Sequence, residues 1–330
     1  MIKKLLIIGK TPPPIGGVTI HVKRLLEHLD VNNIEYDFYD LSKFSFFHFC
    51  KKVKRYKYVH MHTSSPVLRL FFTFLCIITR TKSLITIHGN LNRYDKLRNL
   101  CDKISIRLSD YPIVINKYSY SIASSLNKRT SLLSAYIAPI QKESLPEKII
   151  SLLEGARFKN KSIVVTNAYA KSYDKNGVEI YGIDFLIHFF TQQRETDFIL
   201  FISDPSGDYF KSHCNNMIDN ERVIIIPYPH SFVGILKYAD IYIRNTSTDG
   251  DSLSIHEALD LGVIVIATDI VDRPDNVILI KRDDKYGLQA ILTSSTLNKE
   301  EKSTLLLNKE KIPEIISFYK KMYETNNTRP

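Results

Sequence analysis

No C-x-x-C pair occurs among the four cysteines, Cys50, Cys76, Cys101 and Cys214, which stand far apart in the chain. That excludes a cysteine zinc site and a disulfide framework, and leaves the reduced thiols of a cytosolic protein. No apolar run approaches the roughly 20 residues that span a bilayer; the longest, LFFTFLCIIT at 70–79, falls well short. The opening MIKKLLIIG holds an apolar run of only 5–8, and Pro12, Pro13 and Pro14 follow without a small-residue cleavage site. A first buried strand is therefore expected there, not a secretion signal. G-x-G-x-x-G is missing, so a dinucleotide fingerprint is not supported. Internal repeats are missing too, and low complexity is confined to the polar tail 324–330.

What is present is a folded chain. Its 330 residues suit two α/β domains of about 150 residues each. Apolar residues at 44% and charged residues at 24% leave no case for disorder. The formal net charge of +10 hides an asymmetry: residues 1–160 carry a net +15 and the remainder a net −5. A basic half suits nucleic acid, a phosphate-bearing ligand or an anionic membrane surface. No nucleic-acid motif accompanies the charge, so that partner is set aside. A cytoplasmic protein is expected, at most peripheral on the inner face of the cell membrane.

Aliphatic runs alternate with helix-length segments along the whole chain. Residues 4–8, 58–62, 84–88 and 112–116 read as buried parallel strands. A second series reads at 162–166, 198–202, 223–226, 241–244 and 263–268, with the connection between the series at 141–160. This predicts an α/β fold of two Rossmann-like domains facing across a cleft, 1–155 and 156–310. A C-terminal helix and tail over 311–330 are expected to pack back toward the first domain. Ligands of open α/β sheets sit beyond the carboxyl ends of the strands, so functional residues should follow strands.

The strongest pattern is 241–267, IYIRNTSTDGDSLSIHEALDLGVIVIA. A strand ends at Arg244, a polar loop follows, and a helix starts near Ser252 and closes at Gly262. Gly250 allows close backbone approach, and the free N–H groups of the helix start form an anion site. Asp249 and Glu257 stand eight residues apart. That spacing lets one meet a sugar and the other a ribose, with a diphosphate on the helix N-terminus between them.

This stretch resembles the E-x7-E region of the large family 4 of retaining glycosyltransferases, which have the GT-B fold. The match continues through Glu257-Ala258-Leu259, Gly262 and Ala267-Thr268-Asp269, with Arg273-Pro274 just beyond. The resemblance implies a nucleotide-sugar donor, a glycan or lipid-diphosphate-linked acceptor, and transfer with retention in cell-surface polysaccharide synthesis. By position it puts Asp249 on the transferred sugar and Gly250, Asp251, Ser252 and Leu253 on diphosphate and sugar. Glu257 would hold the ribose. Enzymes of this kind work without a bound metal, so neither cofactor nor metal is expected.

Three further features fit the same resemblance. Gly16 and Gly17 end a Pro-stiffened loop before a helix holding His21. They resemble the glycine loop facing acceptor and donor phosphates, with His21 as its helix histidine. His88 ends the strand of LITIHGN, where the family's histidine reaches the transferring sugar. His60 and His62 share one face of a strand, and no further ligand at zinc spacing accompanies them. They read as strand-end residues lining the cleft, His62 on the acceptor side. One feature departs from the family. Tyr181-Gly182 stands where Lys-Gly is usual, and Asn167 or Ala168 where an Arg falls, leaving Lys171 or Lys175 to reach the phosphate. Two rivals follow on the same fold: a sugar-nucleotide epimerase, and a non-catalytic partner subunit. The aromatic stretch 44–49 beside Lys51, Lys52, Lys54, Arg55 and Lys57 further suggests an interfacial contact with anionic lipid.

Overall fold

The computed structural model describes residues 3–13, 16–43, 45–140, 144–174, 176–192, 197–213, 221–294 and 313–324. Two compact units account for them. The first comprises residues 1–140, 250–252 and 312–330, and the second 141–249 and 253–311.

In the first unit, strands β1 (Lys3–Gly9), β2 (Asp37–Asp40), β3 (Tyr56–His62), β4 (Lys82–Ile87), β5 (Tyr111–Val114) and β6 (Ser131–Leu132) form one parallel sheet. Their order is β2-β1-β3-β4-β5-β6. Leu5, Leu6, Ile7 and Ile8 are all buried, as expected of a parallel strand covered on both faces. Helices α1 (Gly17–Val31), α2 (Phe46–Val53), α3 (Pro66–Ile78), α4 (Lys96–Leu108) and α5 (Lys117–Leu126) are the crossovers. Their starts are written locally. Ser65 accepts from Leu68 N with Pro66 at the first turn, Asp95 accepts from Arg98 N, and Asn116 accepts from Ser119 N.

The apolar run 70–79 lies in α3, and no helix among the described residues is long and apolar enough to cross a membrane. Arg69 on α3 is buried against Asp102 on α4 and donates to Thr63 O at 2.7 Å. Phe49 is fully buried in the core against Tyr39 and Phe72, while Lys51, Lys54 and Arg55 are exposed. The lipid-contact reading therefore keeps its charges but loses that ring to the core; the side chains of Phe46 and Phe47 lie outside the described residues.

The second unit repeats the plan. Its sheet holds β7 (Ser162–Asn167), β8 (Phe198–Ser203), β9 (Val223–Ile226), β10 (Ile241–Arg244), β11 (Ile264–Thr268) and β12 (Val277–Ile280), all parallel. The order is β12-β11-β10-β7-β8-β9. Helices α6 (Glu147–Phe158), α7 (Ile183–Gln192), α8 (Asp208–His213), α9 (Phe232–Leu236), α10 (Leu253–Asp260) and α11 (Lys285–Thr293) cover it. The connecting stretch read at 141–160 thus contains α6, whose Ile149, Leu153 and Ala156 pack into this unit's core. The last helix, α12 (Glu314–Glu324), belongs to the first unit, where Ile315, Ile316 and Tyr319 pack with Leu5, Leu25 and Leu84.

Each sheet has one position where consecutive connections run in opposite directions. It lies between β1 and β3 in the first unit and between β7 and β10 in the second. Crevices of open α/β sheets open at the carboxyl ends of such strands.

Candidate functional site

In the second unit, β10 ends at Arg244, the loop 245–252 follows, and α10 begins at Leu253. The helix closes as its sequence predicts. Gly262 takes φ of +67°, and Val263 N donates back to Ala258 O at 2.9 Å.

Asp249 is gripped by two guanidiniums. Arg244 donates to both of its carboxylate oxygens, Nε and Nη2 each at 3.1 Å, and Arg273 Nη1 donates to Oδ2 at 2.9 Å. The side chains are largely shielded, at 12%, 8% and 2% exposure for Arg244, Asp249 and Arg273. Burial pushes the Asp249 carboxyl up, but the charges and hydrogen bonds of Arg244 and Arg273 outweigh it and hold the group below the usual carboxylate range. Burial likewise opposes the Arg244 charge, and Asp249 more than restores it. Arg244 also lies over the Tyr181 ring, 5.2 Å from its centroid. Arg273 is further fixed by donating to Thr268 O at 3.1 Å. Two cations and one anion leave the trio with one positive charge, held at the carboxyl ends of β10 and β11.

Around this trio the loops are pinned. Asn167, at the end of β7, accepts from Tyr242 Oη at 2.8 Å and donates to Ser254 Oγ at 3.1 Å, so it ties β10 to the first turn of α10. Ala168 is buried. Gly182 has φ of +63°, and a Cβ there would stand 2.3 Å from the Asn245 side chain, so no other residue fits. Lys171 pairs with Asp184 at 2.7 Å. Burial works against its charge, and Asp184 raises it above the usual lysine range. Lys175 lies outside the described residues. Glu257 is buried on α10. Gly250, Asp251 and Ser252 group with the first unit, where Asp251 Oδ2 accepts from Ser134 Oγ at 3.0 Å and from Ala135 N at 3.1 Å.

In the first unit, Gly16 caps α1 and Gly17 opens it. A Cβ would meet nothing within 4 Å at Gly17, and only Thr19 Oγ1 at 3.9 Å at Gly16. The fold itself does not require glycine at either position. His21 on α1, His62 at the end of β3 and His88 just past β4 converge, with ring centroids 4.8–5.3 Å apart. The His60 ring packs on His62, centroids 4.1 Å apart, but both of its nitrogens are engaged, Nδ1 with Tyr319 Oη and Nε2 with Thr86 Oγ1 at 2.8 Å. Burial is the main cause that lowers every one of these imidazoles, His21 to about 4, His60 to about 3, and His62 and His88 well below the ordinary value.

Sequence reasoning singled out Asp249 but did not connect it with the two cations that hold it. Arg244 reads as the last residue of a strand, and Arg273 lies 24 residues beyond Asp249. A basic residue closing an otherwise apolar buried strand was the available signal.

Neither a protein-family model nor a curated protein sequence matches the chain. Solved structures do. Anabaena HepE, in complex with UDP, aligns over 99% of this chain and 100% of its own, with a TM-score of 0.71 at 14% identity. WaaG, a glycosyltransferase involved in lipopolysaccharide biosynthesis, aligns over 92% of this chain and 94% of its own, with a TM-score of 0.64 at 11% identity. A UDP-GlcNAc 2-epimerase from Methanocaldococcus jannaschii aligns over 96% and 99%, with a TM-score of 0.59 at 12% identity. At such identities the likeness speaks for the fold alone. That fold is GT-B, two units each built on a six-stranded parallel sheet.

Proposed function

We propose that this GT-B chain is a glycosyltransferase that moves a sugar, with retention, from a nucleoside diphosphate sugar to a glycan or lipid-linked glycan acceptor in cell-surface polysaccharide synthesis. The observation that carries the reading is the buried Arg244–Asp249–Arg273 trio at the sheet end before α10. It is a rigid, net-positive cluster beside a helix N-terminus, which suits a diphosphate. It also supplies charge that the missing Arg and Lys-Gly positions would otherwise provide, since Lys171 is engaged with Asp184.

On this reading the diphosphate lies against the start of α10, with Ser252 and Leu253 offering backbone N–H groups, and Glu257 accepts from the ribose hydroxyls. Charge builds on the leaving diphosphate as the glycosidic bond breaks, so fixed cations and amide dipoles act mainly in the transition state. A diphosphate oxygen then takes the acceptor proton. His88, Gly16, Gly17, His21 and His62 belong to the first unit, where the acceptor is assigned.

A panel of nucleotide sugars with lipid-linked acceptors tests the function. A glycosylated product with the donor's anomeric configuration by NMR is expected. An inverted product removes the retaining assignment. The fold is shared with an epimerase, which favours one rival: release of an epimerised sugar nucleotide without acceptor would replace transfer by epimerisation. A chain that binds no nucleotide is the non-catalytic subunit.

Glu257→Ala is expected to weaken nucleotide binding, because a hydrogen bond to a charged group contributes about 1.5–3 kcal/mol. That is roughly a 10- to 100-fold rise in Kd by calorimetry. Unchanged affinity in a folded variant takes Glu257 out of the site.

A further inference from the structure

We propose that His21, His62 and His88 form a site for a zinc-type divalent cation in the first unit, with a fourth position left to water or another oxygen ligand. The three imidazoles come from α1, the end of β3 and the turn after β4, and meet where the strand order reverses between β1 and β3. Their ligand nitrogens all lie within 4.8 Å of one another. His62 Nδ1 and His88 Nε2 stand 3.1 Å apart. Two imidazole nitrogens on one tetrahedral zinc, each about 2.0–2.1 Å from the metal, would be roughly 3.3 Å apart.

The hydrogen bonding points the same way. His21 Nε2 is buried, on a residue 4% exposed, and has no hydrogen-bond partner among the described residues. Native structures rarely leave such atoms orphaned, and a bound ion is one standard reason. His21 Nδ1 donates to Ala135 O at 2.7 Å, which turns the bare lone pair of Nε2 toward the cluster. Metal-bound histidines usually have this backbone partner on the other nitrogen. Their lowered basicity keeps the imidazoles neutral, the form that ligates. His60 stays outside the donor set, because both of its nitrogens are engaged.

Nearby charge does not forbid a cation. Arg24, Arg69 and Arg93 oppose it, while Asp102 pairs with Arg69 and the negative charge of Asp251 reaches His21. A donor set of imidazoles alone suits zinc, copper or nickel, and not calcium or magnesium. The sequence pointed to a metal-free protein. The ligands are separated by 41 and 26 residues and match no spacing motif.

The test uses the tag-free full chain, stripped with a chelator, dialysed, and titrated with Co2+ and then Zn2+. One equivalent per chain is expected, with the visible absorption of four-coordinate Co2+, displaced by Zn2+. His21→Ala and His62→Ala should each lower affinity by more than the roughly 10–100-fold that loss of an outer hydrogen-bond partner brings. His28→Ala, on the same helix but bonded to Ala138 O, should leave affinity unchanged. Absence of saturable binding by the wild-type chain overturns the site, whether or not the variants fold. So does an equal loss in His28→Ala, or a six-coordinate Co2+ spectrum. The readout involves no sugar transfer, so this site and the transferase reading stand or fall separately.

Discussion

Asp249→Ala is expected to destabilise the chain by about 3–5 kcal/mol, the cost of removing one partner from a buried ion pair. Arg244 and Arg273 both direct guanidinium nitrogens at this one carboxylate, and their side chains are only 12% and 2% exposed. Without it, two buried like charges share one pocket. Asp249→Asn keeps an acceptor and nearly the same volume, so its loss should be smaller and the variant should remain folded. Urea unfolding of both variants measures the difference. An alanine variant as stable as wild type would show that the arginines do not depend on Asp249.

The asparagine variant also separates two roles for this residue. A carboxylate that contacts the transferred sugar predicts lower turnover with nucleoside diphosphate affinity retained. A carboxylate that restrains two cations predicts affinity at or above wild type, since the cluster gains a positive charge, with the gain fading as salt rises. Calorimetry with UDP at two salt concentrations reads both. A large loss of UDP affinity in a folded Asp249→Asn chain would remove the cluster from the phosphate site.

Acid is expected to unfold the metal-free protein well before its carboxylates are protonated. His21 is lowered to about 4 and His60 to about 3, both chiefly by burial, from an ordinary value of 6.5. Between pH 6.5 and 4 the unfolded chain therefore binds protons that the folded chain refuses. Stability from these groups is complete above pH 6.5 and is lost as the pH falls. A lowered pKa of this size makes His21 alone worth roughly 3 kcal/mol. His60, His62 and His88 act in the same direction, without full additivity because their rings share one site. Burial raises the Glu179 and Asp204 carboxyls, so those two offset part of the loss as the pH drops. Against a typical domain stability of about 5–15 kcal/mol, the histidine loss is large. A urea midpoint that stays level from pH 6.5 to 4.5 would show that water reaches the cluster.

The strands that sequence reading located are continuous apolar runs, most of them buried on both faces; the edge strand β9, Val-Ile-Ile-Ile, was legible from its composition alone. Val164 and Val165 of β7 or Leu84 and Ile85 of β4 form continuous apolar runs whose only stable home is a covered parallel sheet. The strands it passed over are β2, β6 and β12. β2 is Asp-Phe-Tyr-Asp, β6 has two residues, and β12 carries an exposed Leu279. All three lie at sheet edges, where pairing to one neighbour makes the strand and composition such as theirs says little.

The amino-acid order alone determined the alternation of strand and helix, the strand–loop–helix at 241–260 and the carboxylates it presents. These are local matters, settled by periodicity, caps and turn residues within one stretch of chain. Which charges face which was decided only by the tertiary structure. Asp249 meets Arg273 across 24 residues, and His62 meets His88 across 26, because parallel strands must be joined by crossover helices. Such crossovers return each strand end to the same edge of the sheet. Residues far apart in the chain then share one desolvated site, and burial there sets the basicity of each group, which no spacing in the sequence records.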